Sequence, residues 1–107
     1  MHSNERKSLE RISFTLKKKL PEDIIAIYAF GSRVRGDYRE GSDFDILVIV
    51  KNRTIKIEET IIDVFVEEEM ESGLSFDPLI KTVSSFELEK QHHTPFYQNI
   101  QNEGIPV

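Results

Sequence analysis

Residues 31 to 45 read Gly-Ser-Arg-Val-Arg-Gly-Asp-Tyr-Arg-Glu-Gly-Ser-Asp-Phe-Asp, between the apolar runs Ile24 to Phe30 and Ile46 to Val50. A Gly-Ser pair leaves the first run, and an Asp-x-Asp enters the second after residues 33 to 42. Each run has strand length and is rich in β-branched residues. Neither alternates cleanly, as expected of strands covered on both faces. The pattern therefore predicts two adjacent buried strands whose connection carries glycines, arginines and carboxylates to one end of a sheet.

Those residue types suit phosphate chemistry. Side chains two apart on a strand share a face, so Asp43 and Asp45 present two carboxylates side by side. Paired carboxylates repel one another, and a bound divalent cation removes that cost. Hard oxygen ligands suit Mg²⁺ or Mn²⁺, and Mg²⁺ is commonly held by one or two carboxylates plus substrate phosphates. Gly31 lets backbone approach a phosphate closely, and a helix opening after it adds free amides. The Ser32 hydroxyl can donate to a phosphate oxygen. Arg33, Arg35 and Arg39 can neutralise phosphate charge. A third carboxylate is expected from a neighbouring strand. Asp77, inside a third strand-like run, is preferred; Asp63, on the flank of a predicted helix, is the rival.

The rest of the chain completes a small mixed fold. Leu9, Ile12, Leu16 and Leu20 recur at helical spacing and predict a helix over 4–20, ended by Pro21. Residues 32–42 read as a turn or short helix and a loop. Residues 56–72 form a second amphipathic helix with Ile57, Ile61, Val64 and Phe65 as its stripe and Gly73 at its stop. Residues 74–81 form the third strand, with Pro78 placing it at an edge or bulge. Ser84 and Glu87 predict a capping box opening a short helix. Thr94-Pro95 opens the last helix, which Gly104 closes. The expected order is α-β-β-α-β-α-α in a single α/β (α+β) domain spanning 1–107.

Composition narrows the classes. A net charge of −5 argues against a broad nucleic-acid surface. With no cysteine, disulfides and thiolate metal sites are excluded. No run approaches the roughly 20 apolar residues of a membrane span. The N-terminus lacks the apolar core of a signal peptide, and the expected location is cytoplasmic. His92 and His93 read as surface or helix-end residues. Glu67, Glu68, Glu69 and Glu71 read as a solvated helix face that a basic partner could use. Tyr28, Tyr38 and Tyr97 read as packing or interface residues.

With these residues in view, the chain resembles the minimal nucleotidyltransferases of the DNA polymerase β superfamily. The resemblance rests on Gly31-Ser32 and Asp43-Phe44-Asp45, on Phe30, on Arg33 to Gly36 and on Gly41-Ser42. It implies a small mixed β-sheet flanked by helices, and transfer of AMP from ATP to a hydroxyl with two Mg²⁺ ions. Asp43, Asp45 and Asp77 would be the metal-binding and catalytic acids. Gly31, Ser32, Arg33 and Ser42 would bind the nucleotide. It further implies a helical HEPN-type toxin as partner, neutralised by adenylylation. Two alternatives accompany this reading: a weak or inactive module that neutralises its partner by contact, and nucleotidyl transfer to a small molecule.

Overall fold

Leu9, Ile12 and Leu16 form one buried stripe, and they make α1 (Ser3–Lys19) amphipathic and seat it on a sheet. Lys17, Lys18 and Lys19 fill its last turn, where cations complement the helix dipole. The computed structural model describes residues 1–37 and 41–107; Tyr38, Arg39 and Glu40 lie outside the described residues.

β1 (Ile24–Phe30) pairs antiparallel with β2 (Phe44–Val50). The register shifts between Ile24, opposite Val50, and Ala26, opposite Ile49. Ile25 is the bulged residue and is 53% exposed. This insertion resets the alternation. Ile24, Ile27 and Ala29 consequently share the face toward α1, while Ala26, Tyr28 and Phe30 share the other. The unbroken apolar run of β1 reflects that bulge as well as two covered faces.

α2 (Ser32–Arg35) is one short turn after β1. α3 (Ile55–Ser72) is capped by Thr54, whose hydroxyl accepts from the Ile57 amide at 3.2 Å, and ends at Gly73 with φ 76°. It crosses over to β3 (Phe76–Thr82), which runs parallel to β2. The sheet order is β3-β2-β1-β4. β3 is thus an edge strand, where Pro78 costs no shared ladder on its outer side. α4 (Val83–Gln91) and α5 (Pro95–Glu103) cover the face opposite α1 and α3.

Two details differ from the sequence reading. The cap of α4 is Thr82, whose hydroxyl accepts from the Ser85 amide at 3.1 Å, and not Ser84. The strand therefore runs directly into the helix. A fourth strand, β4 (Ile105–Pro106), follows Gly104 and pairs antiparallel with β1 at Tyr28 and Ala29. Two residues are too short for a periodic signal.

Alternate residues of β2 build both cores. Phe44, Ile46, Val48 and Val50 meet α1 and α3, and Leu47 and Ile49 meet Ile100, Phe86 and Phe96. Each fully buried side chain of this kind contributes about 1.5–3 kcal/mol. Between α1 and α3, the Glu68 carboxylate accepts from Ser8 Oγ at 2.7 Å and from Arg11 at 2.8 and 3.0 Å. Burial alone pushes this carboxyl up. The bonds from Arg11 and Ser8, with the Arg11 charge, more than offset it and hold the group below its ordinary value.

Candidate active site

The parallel register of β2 and β3 fixes the centre of the site. Asp45 lies opposite Asp77 on β3 and opposite Phe30 on β1. Strand neighbours in register share a face, so Asp45 and Asp77 present carboxylates on the side of Leu47, away from α1 and α3. Asp43, two residues before Asp45, joins them at the strand entrance. Pro78 follows Asp77 without displacing it from register. Asp63, by contrast, is exposed on α3, across the sheet. The structure brings Asp77, not Asp63, beside Asp45.

Electrostatics mark the cluster. Asp45 is held above the ordinary carboxylate range, first by burial, then by the negative charges of Asp77 and Asp43; Arg35 pulls the other way. Like charges with one partly buried member are costly without a cation. Among the described residues, however, no three carboxylates or imidazoles stand close enough to hold an ion unaided. Mg²⁺ is commonly held by only one or two carboxylates, with water and substrate phosphate as its remaining ligands.

Gly31 shapes the floor. Its φ of 85° and ψ of −165° lie in a region open essentially to glycine. A Cβ there would sit 2.2 Å from Asp45 Oδ2. The glycine thus brings backbone against the carboxylate, at the point where α2 begins. Ser32 is the first residue of that turn, and Val34 and Arg35 donate their amides to the Gly31 carbonyl. Ser42, next to Asp43, buries its hydroxyl with no hydrogen-bond partner among the described residues. A buried polar group without a partner is costly in a site that stays empty.

The arginines divide. Arg33 donates to Glu5 of α1, lies 4.4 Å over the Phe44 ring, and donates to the Ser42 carbonyl at 3.3 Å. Phe44 belongs to the α1 face, and the Arg33 guanidinium is held on that side by Glu5. It anchors the turn that carries Ser42 and Asp43. Glu5 is 4% exposed. Burial raises its carboxyl, but the His2 amide and Arg33 offset this and hold it below its ordinary value. The charge of Arg35 reaches Asp45, and Arg35 pairs with Glu103 at 2.9 Å and Asp37 at 3.3 Å. The division was readable in principle, because residues two apart in a helical turn point to opposite sides. Arg39 lies outside the described residues. His92 and His93, at the end of α4, are exposed.

A central strand that delivers carboxylates beside a Gly-Ser turn is an arrangement suited to phosphoryl-transfer chemistry. Residues 9–107 match the nucleotidyltransferase domain, and the chain belongs to that family. Two proteins of Methanocaldococcus jannaschii, each named "putative protein adenylyltransferase", are similar along most of their length. One is 34% identical over 97 residues, covering 90% of this chain and 87% of the relative. The other is 30% identical over 101 residues, covering 94% and 95%. The fold is shared with a solved structure described as a "putative minimal nucleotidyltransferase", at TM-score 0.60 and 22% identity over 99% of this chain and 98% of that one. It is also shared with a toxin–antitoxin structure containing AMP-PNP, at TM-score 0.56 and 20% identity over 91% of this chain and 69% of that one.

Proposed function

We propose that this nucleotidyltransferase transfers AMP from ATP to a hydroxyl of a partner protein, and that it serves as the cytoplasmic antitoxin of a helical HEPN-type toxin. The observation that carries the reading is the register that sets Asp45 beside Asp77 against the Cβ-less Gly31. The protein acceptor is supported by the names of the two archaeal relatives, and the toxin partner by the toxin–antitoxin neighbour.

In this reading Asp43, Asp45 and Asp77 would hold two Mg²⁺ ions. When bound, they offset charge on the phosphates and on the attacking and leaving oxygens. The protein's own residues position the substrate. The Gly31-Ser32 turn receives the terminal phosphates, with Gly31 admitting them close to backbone and the Ser32 hydroxyl donating to an oxygen. The Ser42 hydroxyl gains the partner it lacks. Arg35 supplies positive charge at the phosphate side. Arg33 holds the Ser42 turn from behind, which keeps Asp43 at the strand entrance. Asp77, on the edge strand β3, would face the acceptor hydroxyl and take its proton as that oxygen bonds to the α-phosphorus and the bond to pyrophosphate breaks.

The test is intact-protein mass spectrometry of the partner after incubation with this chain, ATP and Mg²⁺. Increments of whole AMP units are expected. Asp43→Asn/Asp45→Asn is expected to lower the rate by at least about 10²–10³-fold. Unchanged transfer by that variant would sink the assignment. No transfer by the wild type, with neutralisation intact, would leave a module that acts by contact.

A further inference from the structure

α3 carries a second apolar stripe, turned away from its core. Ile61, Val64 and Phe65 are buried against the sheet and α1. Ile55, Ile62, Val66 and Met70 are exposed, Ile55 by 77% and Met70 by 81%. Ile62, Val66 and Met70 follow one another at i, i+4 and i+8, and Ile55 lies two turns before Ile62. Together they make a straight ridge of about 22 Å, taking ~1.5 Å per residue. Scattered exposed apolar residues are normal, but a continuous row of them marks a contact surface.

The surroundings select the occupant. Glu59, Asp63 and Glu67 lie along the same exposed side, and among the described residues none of them has an ion-pair partner. Lys56 is the only basic residue of α3. This acidic border repels an anionic membrane surface. In a twofold dimer through the ridge, the same three acids would meet their own copies. An i±4 ridge most commonly packs against the equivalent ridge of another helix. We propose that the outer ridge of α3 docks one α-helix of a partner protein, a helix whose apolar stripe is bordered by Lys or Arg. That a protein partner exists rests on the function proposed above. The ridge lies across the sheet from Asp43, Asp45 and Asp77, so a helix seated there leaves the carboxylates open to nucleotide.

The test uses the full chain with neither nucleotide nor metal, so its outcome is separate from that of the transfer assay. Two synthetic helical peptides share a leucine stripe, one bordered by Lys and Arg and one by Glu. Their binding is measured by fluorescence anisotropy. The basic peptide is expected to bind at least tenfold tighter, and Ile62→Ser/Met70→Ser to lose at least tenfold. Glu59→Lys/Asp63→Lys/Glu67→Lys is expected to reverse the order of the peptides. Glu10→Lys/Glu22→Lys/Glu87→Lys, with the same change in net charge elsewhere on the surface, is expected to keep it. Reversal by this control as well would reduce the effect to net charge and overturn the proposal. So would unweakened binding by the serine variant, no binding of the basic peptide, or sedimentation showing a dimer that Ile62→Ser/Met70→Ser abolishes. AMP transfer with any of these failures would keep the enzymatic reading and move the docking surface elsewhere.

Discussion

The two faces of the sheet are built from alternate residues of the same strands, yet they treat charge in opposite ways. On the α1 and α3 face, β2 contributes Phe44, Ile46, Val48 and Val50 to a closed core. Each acid buried there is matched: Glu68 by Arg11 and Ser8, Glu5 by Arg33 and the His2 amide. On the α4 and α5 face, β2 contributes Asp45, Leu47 and Ile49. Leu47 and Ile49 are covered, but Asp45 meets the like charge of Asp77 and Asp43. A matched buried acid belongs to the fold. Acids of like charge gathered at a strand end are the pattern expected of a ligand site.

The largest test of this contrast is Gly31→Ala. Its methyl group would overlap the Asp45 carboxylate, at a φ that disfavours any side chain. A displacement of about 1 Å at a reacting centre can cost ~10²-fold. AMP transfer is expected to fall by about that factor, measured as initial rate, with the protein still folded by circular dichroism. Wild-type rates in Gly31→Ala would mean that the carboxylate contact plays no part in the chemistry.

Packing gives the next test. Phe65 is 2% exposed and rests edge-on against Phe76 with centroids 5.8 Å apart. Phe96 is only half-buried, edge-on to Phe30 at 5.6 Å with Lys81 over its ring at 4.8 Å. Phe65→Ala is expected to cost about 3–5 kcal/mol. Phe96→Ala is expected to cost about 1–2 kcal/mol, since less area leaves water there. Urea denaturation compares them. Equal costs would show that both faces are equally closed.

The closed face was the more legible in sequence, and the reason is physical. The stripe of α1, the stripe of α3 and the runs of β1 and β2 report burial, which periodicity records. The Gly31-Ser32 and Asp43/Asp45 spacing likewise located the strand ends. What sequence did not carry was pairing across long separation. Glu5 with Arg33 and Arg35 with Glu103 join segments that only the fold brings together. The strand-like run around Asp77 already favours it over Asp63; what no local pattern encodes is the parallel register that sets it opposite Asp45. β4 was missed because two residues carry no period. The cap of α4 was misplaced because Thr82 ends a strand and opens a helix at once.

The smallest test compares one acid from each face, where the signs of the pH dependence are opposed. Glu68 titrates below its ordinary value in the folded protein despite its burial, through Arg11 and Ser8. Its stabilisation is present above the unfolded-state pKa and lost as pH falls through the folded one. Glu68→Gln is therefore expected to cost about 1–2 kcal/mol at neutral pH, limited by the exposure of Arg11, with the gap closing in acid. Asp45 is shifted upward, by burial first and then by Asp77 and Asp43. Its ionisation opposes folding: the penalty begins as pH rises through the unfolded-state pKa and is complete above the folded one. With chelator present, Asp45→Asn is therefore expected to melt higher than wild type at neutral pH and level with it in acid. Calorimetric melting from about pH 3 to pH 8 reads both acids in one series. Added Mg²⁺ is expected to raise the melting temperature of the wild type and to leave that of Asp45→Asn nearly unchanged, because bound ion stabilises only the state that holds it. Destabilisation of the metal-free chain by Asp45→Asn at neutral pH would place Asp45 with Glu68 among the matched acids, and the distinction between the two faces would fail.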